Sequence, residues 1–96
     1  MLNRVRLYAS AIRAMLGAIT PNIRQISCSL NEDSFEFCVH VASFVLEEEK
    51  EIARVICSEI IADFPEIISA DEKVEISDLP FSEINNLEVL LFRRFE

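Results

Sequence analysis

Glycine is nearly absent. The 96 residues contain a single Gly, at position 17, and only 3 Pro. Collagen-like, low-complexity and linker sequences are excluded, since each needs such residues in quantity. A Gly-rich phosphate loop is excluded with them. Long apolar runs are missing too, and nothing approaches the ~18–20 residues that cross a bilayer. Arg4, Arg6 and Arg13 interrupt the start of the chain, so no secretory apolar core forms there. Cysteine is sparse and odd in number: Cys28, Cys38 and Cys57, with no Cys-x-x-Cys and no Cys/His cluster along the sequence. That count disfavours a four-ligand zinc site and a disulfide scaffold alike. Lone thiols suit a reducing cytoplasm and read as small buried apolar residues.

Positive charge is the other scarcity. There are 9 Lys+Arg against 17 Asp+Glu, for a net charge of −8. The imbalance is uneven. Residues 1–31 hold four arginines and no acid, whereas residues 32–96 hold five bases and all 17 acids, a formal −12. So acidic a body repels phosphate and disfavours nucleic-acid binding. It attracts basic protein surfaces and speeds their association. The plain alternative is solubility.

What is present is apolar patterning, at 51% hydrophobic residues in a chain of about one domain's length. Residues 2–18 read as an amphipathic helix with Leu2, Val5, Ala9, Ile12, Leu16 and Ile19 on its buried stripe. Gly17 and Pro21 end it. The same Arg-rich stretch also has the look of a transit peptide, but the core needs it as a first helix. Residues 23–44 read as a β-hairpin turning at Asn31-Glu32-Asp33-Ser34. Pairing Leu30 with Phe35 sets Cys28 opposite Phe37 and Ile26 opposite Val39, with all six on one face. A slip by one would mismatch the faces, so Cys28 and Cys38 are not expected to bridge. Gln25, Ser27, Ser29, Glu36 and His40 fall on the other face, which reads as wet or partner-facing.

Residues 46–63 read as a second helix. Glu47, Glu48 and Glu49 lie in its first turn, where the helix dipole favours acids and exposure is expected. Ile52, Val55, Ile56 and Ile60, with Ala53 and Cys57 beside them, form its buried side. Two short strands are expected at 66–69 and 74–77 around a turn at 70–73. A connector with Pro80 and Asn85-Asn86 follows, and a closing strand over 87–95. The expected fold is therefore α+β, one domain over 1–96. Two amphipathic helices cover one face of an antiparallel sheet, in the order α-β-β-α-β-β with room for one extra short strand.

No catalytic constellation emerges. Cys38 and His40 sit two positions apart on one strand, ~6.5–7 Å along it, without an oxyanion loop. His40 reads as a surface or partner-contacting residue. The acids lack EF-hand spacing. Arg93 and Arg94 beside Phe92 and Phe95 could stack on RNA, but ion pairs with nearby acids or a solvated strand end fit the acidic setting better. The chain is expected not to be an enzyme and to need no cofactor or metal. Glu47, Glu48, Glu49, Asp71, Glu72, Glu75 and Asp78 are the candidate partner-binding residues, as one acidic face able to occupy the phosphate-contact sites of a basic nuclease.

The starting helix, the hairpin ISCSLNEDSFEFCVHV, the Glu-led helix EEEKEIARVICSEII and the closing LEVLLFRRFE together resemble the small α/β immunity proteins of bacterial contact-dependent growth inhibition and related polymorphic toxin systems. The likeness is one of architecture across most of the chain. It implies a cytoplasmic protein, monomer or homodimer when free, that binds and neutralises one cognate toxin domain, commonly a nuclease. Acidic type III secretion chaperones, which dimerise around an effector segment, are also similar, though they finish with a helix.

Overall fold

The computed structural model describes residues 4–95. Helix α1 spans Arg4–Met15, β1 Ile23–Asn31, β2 Ser34–Val41, α2 Glu47–Ala62, β3 Ser69–Ile76 and β4 Val89–Arg93, with a 3-10 turn at Phe81–Glu83 before the last strand. The succession follows the expected order in outline. The strands form one sheet in the order β3-β2-β1-β4. Gly17, at a φ of 74°, takes the left-handed conformation that closes the first helix.

The hairpin has the register that residue alternation demands. Leu30 pairs with Phe35, Cys28 with Phe37 and Ile26 with Val39. Cys28 and Cys38 therefore lie on opposite faces, and all three cysteines are buried and free. Phe35, Phe37, Ile26, Cys28, Val39 and Val41 join Leu7, Ala11, Ala14 and Met15 of α1 and Ala53, Ile56, Cys57 and Ile60 of α2 in one core.

Four expectations need correction. First, the sheet is mixed: β3 runs parallel to β2, from Ser34↔Ser69 to Val41↔Ile76. The cause is α2, which carries the chain back along the sheet before β3 begins, and such a crossover joins parallel strands. The two short strands expected around a turn are one continuous strand, with residues 70–73 inside it.

Second, α1 is rotated. Leu7, Ser10, Ala11, Ala14 and Met15 are its buried residues. Val5, Ile12, Leu16 and Ile19 are instead exposed, Val5 and Leu16 by about three quarters (77% and 75%); Leu2 lies outside the described residues. The physical reason is polar. Arg6 Nη2 donates to the Asp63 carbonyl at 2.8 Å, and Ser10 Oγ donates to Asp63 Oδ2 at 2.6 Å. Arg13 pairs with the same carboxylate. Arg6 also stacks over Phe64, 4.6 Å from the ring centroid. These residues recur with helical spacing and grip the C-terminal end of α2, where the dipole favours cations. Turning that side toward α2 leaves the larger aliphatics outside. On α2 itself, Val55 is likewise exposed and Ile52 only half-buried.

Third, the far face of the hairpin is wet only near its turn, where Glu36 is exposed and Ser29 half-buried. Gln25, Ser27, Cys38 and His40 are buried, because the 77–88 connector folds over them. A β-bulge at Arg24 breaks the β1–β2 register between Ile23 and Gln25, which re-aims side chains. Arg24 Nη1 donates to the carbonyls of Ser77 and Leu79 at 2.9 and 2.7 Å. Ser27 Oγ accepts the Leu87 amide proton at 3.1 Å. Phe81 lies under both the Arg24 and the Arg93 guanidinium, each 4.7 Å from its centroid.

Fourth, Arg93 and Arg94 do more than end the strand: although Arg93 is exposed, both bond to neutral oxygens of the fold. Arg93 donates through Nε and Nη2 to Gln25 Oε1 at 3.0 and 2.8 Å. Arg94 Nη1 donates to the Pro21 carbonyl at 2.7 Å.

Candidate functional site

Of the seven acidic candidates, Asp71, Glu72 and Glu75 lie on β3, the free edge of the sheet, Asp78 follows it, and Glu47, Glu48 and Glu49 open α2. Side chains alternate along a strand. In register with β2, Glu72 shares the side of Phe37, where α2 lies, while Asp71 and Glu75 share the side of Glu36 and His40. Lys50, Ala53 and Arg54 of α2 line a shallow cleft with Glu72, Lys73 and Val74, so the Glu-rich start of α2 runs beside this edge. Glu47, Glu48, Asp71, Glu72, Glu75 and Asp78 are all exposed. Along β3 only Val74 is half-buried. The edge is thus an acidic rim on both sides of one exposed strand.

Cations interleave the rim. Lys50 Nζ lies 3.2 Å from Glu47 Oε1, and Lys73 Nζ 3.6 Å from Glu75 Oε1. Arg54 pairs with Glu51. Exposed pairs of this kind contribute little to stability, ~0–1 kcal/mol. They temper the negative potential without cancelling it. Charges on an edge strand also block uncontrolled strand pairing with other chains.

Glu49 does not belong to this surface, contrary to the exposure expected of the helix start. It is 1% exposed. Its Oε1 accepts the Leu46 amide proton at 3.0 Å, which caps α2. Its carboxylate also accepts from Thr20 Oγ1 at 3.0 Å and from Asn22 Nδ2 at 3.0 and 3.1 Å. Asn22 Oδ1 in turn accepts from the Ser43 amide and hydroxyl at 3.2 and 3.1 Å. Glu49 therefore ties the α1–β1 loop to the β2–α2 loop.

Cys38 and His40 are closer than their backbone spacing suggested. Residues i and i+2 share a face, and here Cys38 Sγ lies 3.8 Å from His40 Nδ1. The parallel partner strand adds Glu75, directly across from His40, with Oε2 3.5 Å from His40 Nε2. Burial lowers the His40 pKa; neighbouring Glu75 pulls the other way, and Arg24 and Lys73 reinforce the lowering. Burial pushes the Cys38 thiol up to about 11, with Glu75 adding to the effect. Cys28 rises to about 12 and Cys57 to about 11, burial being the main cause of each. Thiols so far from ionisation are poor nucleophiles. Sequence spacing alone could not reveal the Cys38–His40–Glu75 group, because Glu75 arrives through a non-local pairing.

Among the described residues no helix is long and apolar enough to cross a membrane. No curated protein matches the chain. The family model for the MafI2 immunity protein matches residues 4–96. With that match spanning nearly its whole length, the chain belongs to the MafI2 immunity protein family.

Proposed function

We propose that this immunity protein acts in the cytoplasm by binding a cognate toxin domain with a basic surface, most simply a nuclease, and occluding it sterically and electrostatically. The family supplies the toxin-neutralising role. The observation that supports the surface is the exposed β3 edge, flanked by Glu47, Glu48, Asp71, Glu72, Glu75 and Asp78. No reaction is assigned to the chain. Association between charged surfaces is fast and salt-dependent, because Coulomb steering acts before contact. Acids that mimic the phosphates of a nucleic-acid substrate would meet the same toxin cations.

The test uses the cognate toxin domain. Charge-reversed variants Glu47→Lys/Glu48→Lys and Asp71→Lys/Glu72→Lys should slow association at low salt by about tenfold or more. Their melting temperatures should stay near that of the parent, since surface substitutions usually cost under ~0.5 kcal/mol. Unchanged association rates at low salt would place the contact elsewhere. Dimerisation of the free protein through the exposed α1 aliphatics would favour a chaperone-like mode instead, and light scattering distinguishes it.

A further inference from the structure

We infer that Cys38, His40 and Glu75 form a Zn²⁺ site that pins the edge strand β3 to β2. Three features carry this inference, and none depends on the toxin-binding role. The donor set comes first. Thiolate sulfur, imidazole nitrogen and carboxylate oxygen are the ligands zinc takes in proteins. The geometry comes second. One donor atom from each residue, Sγ, an imidazole nitrogen and a carboxylate oxygen, lies within 4.8 Å of the other two. Sγ to Nε2 is 4.0 Å, and Nε2 to Oε2 is 3.5 Å. The ligand–ligand edges of a zinc tetrahedron with these donors are roughly 3.4–3.6 Å, from Zn–S of about 2.3 Å and Zn–N/O of about 2.0–2.2 Å. The two edges through His40 Nε2 exceed these by a few tenths of an ångström or less, and rotation of the half-exposed Glu75 side chain closes the third.

The third feature is the surroundings. Cys38 and His40 are each 3% exposed, on a sheet that fixes their backbones. Rigid strands hold ligands better than loops do. Beside them a cleft of about 200 Å³, lined by His40, Glu75, Ser77, Leu79, Glu83 and Ile84 among others, opens toward solvent. That cleft gives the ion a path and a water as fourth ligand. Gln25, paired with His40 across β1 and β2, has a buried Nε2 without a hydrogen-bond partner among the described residues. The neighbourhood is thus polar and incompletely satisfied. Two cations oppose the site, Lys73 beside Glu75 and Arg24 on the His40 side, and they set an affinity below that of a four-cysteine site. On binding, the Cys38 thiol releases its proton to solvent, the imidazole proton that faces Glu75 moves by exchange with solvent to Nδ1 and leaves Nε2 to ligate, Glu75 Oε2 turns to the metal, and no electron is transferred.

The experiment uses the full chain, free of any histidine tag, stripped with chelator and titrated with Zn²⁺ against a chromophoric competitor. Co²⁺ serves as the spectroscopic probe. The expected result is one metal per chain, with a thiolate-to-cobalt charge-transfer band and the strong visible bands of a tetrahedral site. Cys38→Ser should abolish the charge-transfer band. Glu75→Gln, at a half-exposed position, should weaken Zn²⁺ binding about tenfold or more while the metal-free protein melts as the parent does. Cys57→Ala, on the opposite side of the sheet, should change neither affinity nor spectrum. The inference is overturned by absence of stoichiometric binding, by a charge-transfer band that survives Cys38→Ser, or by an affinity indifferent to Glu75→Gln.

Discussion

Strands β1 and β3 belong to the same sheet but live in different surroundings. β1 is buried on both faces through its first six residues, under the helices on one side and the 77–88 connector on the other. β3 is exposed along nearly its whole length. β1 and its partner β2 carry Ile26, Cys28, Phe35, Phe37 and Val39, whereas β3 carries Asp71, Glu72, Lys73 and Glu75. The contrast separates two tasks. The inner strands hold the fold, so their side chains are constrained by packing and by individual hydrogen bonds. The edge strand owes its place to backbone pairing with β2, so its side chains are free to be charged and to face a partner.

The inner strands should be the most sensitive to substitution. Phe37, 0% exposed, packs into the core beside Phe35, with ring centroids 6.4 Å apart. Phe37→Ala should destabilise the protein by about 3–5 kcal/mol, the usual cost of a large-to-small aromatic change. Urea unfolding measures it, and a loss under about 1 kcal/mol would contradict the packing described. The connector side should be less sensitive but not indifferent. Arg24→Ala removes the donor that holds the Ser77 and Leu79 carbonyls and one cation over Phe81. It should cost about 2–3 kcal/mol, with amide exchange rising first in residues 77–88.

A smaller effect per unit of pH follows from the buried thiols. Cys28 and Cys57 ionise near 9 when unfolded, but burial raises them to about 12 and about 11 in the fold. Above pH 9 the unfolded chain loses protons that the native chain keeps. Stability must then fall as pH rises, by up to about 1.4 kcal/mol per pH unit for each thiol, until pH passes the folded values. Cys28→Ala/Cys57→Ala should flatten this alkaline slope in chemical denaturation between pH 9 and 11. An unaltered slope would mean that these thiols are not shielded.

Much of this contrast was legible in the residues, and the rest was not for physical reasons. Alternation in β1 and β2 set the hairpin register because a slip of one residue would turn Phe35, Phe37 and Val39 toward the wrong side. The bounds of α2 and its burial of Ala53, Ile56, Cys57 and Ile60 followed from helical spacing. The orientation of α1 did not, since its apolar residues encircle the helix and a distant carboxylate, Asp63, decides which side turns inward. The parallel pairing of β3 is a long-range consequence of the α2 crossover. The cover over Gln25 and His40 left one signal: Leu79, Phe81 and Ile84 are apolar residues within a segment otherwise punctuated like a loop. Glu49 shows the limit of charge reading. It looks like its exposed neighbours Glu47 and Glu48, yet Asn22 and Thr20, far away in sequence, draw it inside.

On the proposed reading the acidic β3 edge is what the toxin meets. Hydrogen–deuterium exchange of the immunity protein, free and bound to its cognate toxin, tests it most directly. The largest gain in protection should fall at residues 69–76 and at the start of α2, with α1 changing little. Protection confined to α1, with the β3 amides exchanging as fast in the complex as in the free protein, would contradict it.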